Sequence, residues 1–227
     1  MADQPCLVAD QLGFSWPTGH AAISHCTFSI PKPGLWMLVG GNGSGKSTLL
    51  RLIAGLLEPS RGRLHRRLKP ALVFQNPDHQ LLLPSCGSDI ELSLAEHLSR
   101  PARLELVEHV LSQVGLEGFR QRPIHSLSGG QKQRLAIAGA LASQAELLLL
   151  DEPTALLDEN SQLEVLSLIQ DLSHRQERPI TALWVTHRLE ELQWCDGAAL
   201  MERGSVGPWQ SGASLQAKLS PLATRKG

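Results

Sequence analysis

Two kinds of apolar spacing alternate along the chain. Short, nearly unbroken apolar runs occur at 35–40 (LWMLVG), 71–74 (ALVF), 146–153 (ELLLLDEP), 180–185 (ITALWV) and 198–202 (AALME). Their length and missing polar face predict strands buried on both sides. Between them apolar residues return every three or four positions, the spacing of a helix packed on one side. This predicts helices over 46–57 (KSTLLRLIAGLL, with Gly55 and Pro59 at its end), 131–142 (QKQRLAIAGALA) and 160–173, and a short one before 198–202. From about Cys86 to Leu116 the pattern is also helical, with Leu104, Val107, Val110, Leu111 and Val114 on one face. The opening segments 6–14 and 25–30 read instead as antiparallel strands joined by a turn at Pro17–Gly19.

Strands alternating with helices predict an α/β fold, its mostly parallel sheet covered on both faces and preceded by an N-terminal antiparallel β region. The helical block at about 78–140 breaks the alternation and reads as an inserted α-helical lobe. The expected organisation is a single domain over 1–227, with 1–77 and 141–227 as catalytic core. The last two dozen residues, rich in Gly, Ser and Pro, are expected on the surface or frayed.

Composition narrows the function. Apolar residues at 42% and charged residues at 19% permit a sizeable core and argue against global disorder. A net charge of −1, with 4% aromatics and no Tyr, gives neither the electrostatic pull nor the stacking platform of a nucleic-acid binder. No nucleic-acid partner is therefore expected. No apolar run approaches the roughly 20 residues of a membrane span. The opening MADQPCLVADQ lacks the basic and apolar regions of a secretory signal, so none is expected. Four scattered cysteines without a CxxC pair read as free thiols in a reducing compartment, and nine scattered histidines form no HxH or HExxH pair.

The strongest local pattern is Gly40-Gly41-Asn42-Gly43-Ser44-Gly45-Lys46-Ser47, placed between a strand and a helix. It fits the G-x-x-x-x-G-K-[ST] phosphate loop. Its glycines let backbone N–H groups converge on phosphate oxygens, and the helix N-terminus adds its positive dipole end. Lys46 can reach the outer phosphates of a nucleotide, and the Ser47 hydroxyl can join a Mg²⁺ shell. Asp151 and Glu152 end the leucine strand, where successive side chains point to different sides. One acid can hold Mg²⁺ while the other handles an attacking water. A solvated strand-end turn before Pro153 would explain the pair alone, but not its company with a phosphate loop.

At Leu127-Ser128-Gly129-Gly130-Gln131 the sequence resembles the signature of ATP-binding-cassette (ABC) ATPases, a P-loop NTPase family. The resemblance covers nearly the whole chain, with the motifs in family order. It implies roles for Gln75 (Q-loop), Asp158 (D-loop) and His187 (switch histidine), with Trp16 stacking on adenine and Phe14 as competing candidate. By the same resemblance Glu152, His187, Lys46 and Gln75 act in catalysis, and Ser47, Gln75 and Asp151 face the metal. Gly40, Asn42, Gly43, Ser44, Gly45, Lys46, Ser47 and Thr48 would bind the nucleotide from one chain. Ser128, Gly129, Gly130, Gln131 and Asp158 would do so from the other, in a dimer closed over two ATP. Read alone, LSGGQ is a respectable helix cap, Gln75 a polar residue after a strand, and His187 more often structural.

Within the family, Phe74-Gln75-Asn76-Pro77-Asp78-His79-Gln80-Leu81 resembles the Q-loop of energy-coupling-factor importer ATPases. This implies an ATP-hydrolysing, Mg²⁺-dependent subunit on the cytoplasmic face of the membrane, bound to integral membrane subunits and to a second ATPase chain, identical or related. The imported solute would be a vitamin or a transition-metal ion. The sequence departs from the subgroup in lacking an acidic stretch after the Q-loop and in ending soon after the core. A soluble ABC ATPase of an assembly system, such as iron–sulfur cluster building, is the alternative, as is a regulatory subunit that hardly hydrolyses. Leu81, Leu82 and Leu83 are equally readable as a docking groove for the membrane subunit or as lobe core. The basic cluster Arg61, Arg63, His65, Arg66, Arg67 and Lys69 reads as a solvated edge strand.

Overall fold

The computed structural model describes residues 4–223. Strands β1 (Leu7–Ser15), β2 (Ala21–Ile30) and β4 (Arg61–Arg66) form an antiparallel sheet in the order β2-β1-β4. The six-stranded sheet has the order β5-β6-β7-β3-β8-β9. It comprises β3 (Gly34–Val39), β5 (Pro70–Val73), β6 (Leu147–Asp151), β7 (Thr181–Thr186), β8 (Gly197–Glu202) and β9 (Ser205–Val206). All its pairings are parallel except the last, β8 with β9. The expected α/β architecture, with an antiparallel N-terminal sheet, is observed.

The leucine run shows why the apolar strands lack alternation. Leu147 and Leu149 enter one core, with α1 (Lys46–Ala54) and the antiparallel sheet, while Leu148 and Leu150 enter the other, with the remaining helices. Leu35, Met37 and Val39 of β3 likewise face opposite to Trp36 and Leu38. Period-two side chains between two dry layers need apolar residues at every position. Leu149 is fully buried, so Leu149→Ala is expected to lower unfolding free energy by about 2–5 kcal/mol in urea titrations, chiefly through the cavity it leaves.

Helices α2 (Cys86–Glu91), α3 (Arg100–Gln113) and α4 (Gly129–Ala142) occupy the expected helical block, and α5 (Glu159–His174) follows β6. The stretch read as one helical pattern is two helices, because residues 92–99 leave the helical path and Ser99 caps α3 afresh. Val107, Val110, Leu111 and Val114 are buried as expected, whereas Leu104 is only half-buried and Leu106 packs on the core instead. Helix α1 stops at Gly55, whose φ of 79° permits the left-handed cap, and the Arg66 guanidinium donates to the Ile53 carbonyl there. Strand β4 is an exposed edge carrying Arg61, Arg63, His65 and Arg66, as the charge cluster suggested.

The described end of the chain lies mostly on the surface, as expected, but as a helix rather than a frayed tail. Residues 212–223 form α6 (Gly212–Ala223), anchored by Leu215 at 2% exposure and packed beside the turn at 189–194. Residues 224–227 lie outside the described residues. The surrounding Gly, Ser and Pro hide the helical spacing in SLQAKL. Among the described residues no helix is long and apolar enough to cross a membrane.

Candidate active site

The C-terminal ends of β3, β6 and β7 lie side by side, with Val39 in register with Thr186 and Asp151 with Val185. Loops leaving those ends meet in one crevice, the usual ligand position of an open parallel sheet. After β3 the chain turns through Gly40–Gly45, where Gly43 and Gly45 take φ of 76° and 105°. A Cβ on Gly45 would lie 2.5 Å from the Ala22 carbonyl, and one on Gly40 2.4 Å from that of Met201. The loop is therefore pressed against both sheets, and glycine is required for space as well as for backbone angle.

Lys46 opens α1 and is 6% exposed. Its Nζ donates to the carbonyls of Gly40 (2.7 Å) and Gly41 (3.0 Å), which satisfy a buried cation. Burial lowers its pKa, opposed by the charges of Glu152 and Asp151. Ser47 Oγ donates to Asp151 Oδ1 at 3.1 Å. Asp151 is pushed above the usual carboxylate range, first by burial; the Ser47 hydrogen bond pulls it back, Glu152 raises it, and Arg51 and Lys46 lower it. Ser44 Oγ is buried without a partner.

Glu152 takes φ of +49°, in the left-handed region that residues with a side chain adopt uncommonly. Its N–H donates to the Val185 carbonyl (3.0 Å), and this turn brings Oε2 to 3.1 Å from His187 Nδ1. Their separation of 35 positions in sequence is bridged because β6 and β7 are neighbours.

Two adjoining cavities share Asn42, Ser47 and Glu152 in their walls. One, about 380 Å³, is also lined by Trp16, His20, Ala22, Gly43, Ser44, Gly45, Lys46 and Thr48. The other, about 540 Å³, adds Gly40, Gly41, Gln75, Asp151 and His187. Trp16, half-buried, stands at the mouth with Phe14 edge-on behind it (centroids 5.0 Å apart), so Trp16 rather than Phe14 faces the cavity. His20 and Ala22 were missed by the sequence reading; they reach the wall because the β1–β2 hairpin folds over the loop, and no motif marks that.

Ser128, Gly129, Gly130, Gln131 and Asp158 line neither cavity. Ser128 caps α4: its Oγ accepts from Gln131 N–H (3.2 Å), and Gln131 Oε1 accepts from Ser128 N–H (3.1 Å). Asp158 caps α5 through Ser161 N–H (3.0 Å) and Oγ (2.8 Å), which holds its carboxyl below the usual range. A Cβ on Gly130 would sit 2.6 Å from Ser161 Oγ, so that glycine lets α4 and α5 close on each other.

The arrangement suits a nucleoside triphosphate. Loop N–H groups, an orphan buried hydroxyl and a buried ammonium converge where phosphates would lie, and an acid–histidine pair stands beyond them. Among the described residues no three His, Cys, Asp or Glu side chains group to hold a metal. The Ser47 and Asp151 oxygens are hard donors that suit Mg²⁺ when a substrate completes the shell.

Comparison with known proteins agrees. The family model described as ABC transporter matches residues 23–155. ABC transporter I family member 10 of Arabidopsis thaliana is 45% identical over 201 residues, spanning 88% of this chain and 73% of that one. The energy-coupling factor transporter ATP-binding protein EcfA1 of Geobacillus kaustophilus is 41% identical over 221 residues, spanning 89% and 77%. The solved structure of cbiO1 from Clostridium perfringens, described as part of the ABC transporter complex cbiONQ, superposes with a TM-score of 0.86 at 29% identity, covering 97% of this chain and 94% of that one. Fold, site and kinship coincide: the chain belongs to the ABC transporter family, as an ATP-hydrolysing subunit of the energy-coupling-factor type.

Proposed function

We propose that two ATPase chains, identical or related, close over two Mg·ATP and drive an importer of a vitamin or a transition-metal ion from the cytoplasmic face of the membrane. The observation that carries the hydrolytic part is the 3.1 Å Glu152–His187 contact beside the Ser47–Asp151 pair and the buried Lys46. Gly40–Thr48 cradle the phosphates and Trp16 stacks on the base. Glu152 takes a proton from the water that attacks the γ-phosphorus in line, while the bond to the β–γ bridging oxygen breaks and ADP leaves. His187 orients that water and the γ-phosphate, and Lys46 spreads the charge that develops. Ser47 and Asp151, with Gln75 beside them, would hold Mg²⁺, which would supply Lewis-acid neutralisation of phosphate charge.

The signature supports the dimer. Ser128 and Gly129 are exposed at a helix N-terminus away from their own chain's cavity; the cap takes up the N–H groups of Ser128 and Gln131, which leaves those of Gly129 and Gly130 for nucleotide held by a second chain. Asp158 lies beside them at the start of α5. In this reading 78–140 moves as a lobe against the core, and Gln75 couples γ-phosphate occupancy to that motion.

Leu82 supports docking to an integral membrane subunit. It is 73% exposed while Leu81 packs on the core, and Asp89 Oδ1 holds the loop by accepting from Leu82 N–H (2.7 Å) and Leu83 N–H (2.9 Å). A core role for Leu82 is thereby overturned. Leu82→Asp is expected to abolish co-purification with membrane subunits while ATP binding stays at the wild-type level. Recruitment that survives the substitution would remove this surface from the docking site. The broader test is capture of the Glu152→Gln chain with Mg·ATP from detergent-solubilised membranes. Small multi-span partners support the importer, and only soluble partners would favour an assembly ATPase.

A further inference from the structure

Behind the Glu152–His187 pair lies a carboxylate to which no motif assigns a task. Glu191, in the 3-10 turn Leu189–Trp194, is 2% exposed. Its Oε1 accepts from Thr154 Oγ at 2.5 Å, and its Oε2 accepts from the Trp184 indole N–H at 3.0 Å. Thr154 and Trp184 are themselves buried. Arg188 Nε stands 3.7 Å from Oε1, its guanidinium engaged mainly by Glu190 at 2.9 Å.

The partners occupy telling positions. Thr154 lies two residues after Glu152, Trp184 three before His187, and Arg188 directly after His187. Glu191, in the segment that follows β7, therefore ties that segment to the turn leaving β6 through Thr154 and to β7 itself through Trp184. The Glu152 turn is also held by its backbone, through Glu152 N–H to the Val185 carbonyl (3.0 Å) and Ala155 N–H to the Glu152 carbonyl (3.1 Å). A buried carboxylate is costly, and an apolar side chain would fill the space without that cost. What a satisfied buried network adds is one defined geometry. The strained φ of Glu152 needs such definition.

We infer that Glu191 is a positioning residue for hydrolysis, setting the Glu152 turn against the His187 turn through Thr154 and Trp184. The inference rests on the roles given above to Glu152 and His187. It goes beyond them in placing the determinant of their separation in a side chain that lines neither of the two cavities.

The test is steady-state ATPase kinetics per nucleotide-binding site, with thermal melting as a check on folding. Glu191→Ala is expected to lower kcat about 100-fold with KM for ATP nearly unchanged, the mark of misplaced groups rather than lost binding. Thr154→Val keeps the volume and cuts one arm; it is expected to lower kcat about tenfold and to add little on top of Glu191→Ala, because both break one network. Glu191→Gln is expected to restore most of the rate, since one amide can accept from Trp184 and donate to the Thr154 hydroxyl. A merely structural role predicts falling melting temperature and fewer binding sites at unchanged kcat per site, which would overturn the proposal. Independent, multiplying effects of Thr154→Val and Glu191→Ala would overturn it too. Where Glu191→Ala fails to fold, Thr154→Val decides alone: kcat at the wild-type level ends the proposal. Glu152→Gln, run in parallel, separates this from the site reading, which fails only if that variant turns over normally.

Discussion

Glu152→Gln is expected to abolish measurable ATP turnover, a loss of at least about 10²–10⁴-fold, while ATP binding persists. The substitution keeps the size of the side chain and removes its capacity to accept a proton from water. It also replaces the carboxylate that stands 3.1 Å from His187 Nδ1 by a neutral amide. The proposed phosphate cradle Gly40–Thr48 is untouched, so the variant is expected to accumulate as a closed, ATP-filled pair of chains. Light scattering coupled to size exclusion, with ATP and then ADP, checks this: the variant runs at twice the monomer mass only with ATP. Wild-type turnover in this variant would refute the assignment of Glu152.

Lys46→Ala is expected to cut kcat by about 10²–10³-fold and to weaken ATP binding as well. Lys46 is the buried cation of the phosphate loop, and its Nζ bonds to the Gly40 and Gly41 carbonyls hold the loop's own curvature. Removing it therefore takes away positive charge at the outer phosphates and the internal brace of the cradle together. Lys46→Arg is expected to fail as a rescue, because a planar guanidinium needs more room than a site only 6% exposed provides. Fluorescent-nucleotide titration and phosphate release measure the two effects separately. Since burial lowers the Lys46 pKa, the ammonium is present below that value and lost above it. The alkaline limb of kcat/KM for the free enzyme is accordingly expected below the ordinary lysine range.

Much of this site was legible without coordinates, for a physical reason. The phosphate loop is contiguous, and its chemistry needs small residues, a lysine and a hydroxyl at fixed offsets, so one window holds the whole device. Helix caps are similarly local: Ser128 with Gln131 and Asp158 with Ser161 close within three residues. The double burial of the central strands was also readable, because an unbroken Leu147–Leu150 run has no polar face to give to water. Locality failed at the chain's end, where turn-forming residues masked the apolar positions of α6 and its anchor Leu215.

The sequence by itself determined the family, the order of the core strands and helices up to β8 and most of the residues that meet at the site, since each is written in a short window or a local period. Tertiary structure alone decided which windows face each other. Ser47 reaches Asp151 across 104 residues, and Glu152 reaches His187 across 35, because the sheet runs β6-β7-β3 rather than in chain order. The choice of Trp16 over Phe14, the presence of His20 in the cavity wall, and the Thr154–Glu191–Trp184 network belong to the same class. A periodicity records which face of an element is buried, but it carries no information on what is buried against it. Only the packed chain supplies that.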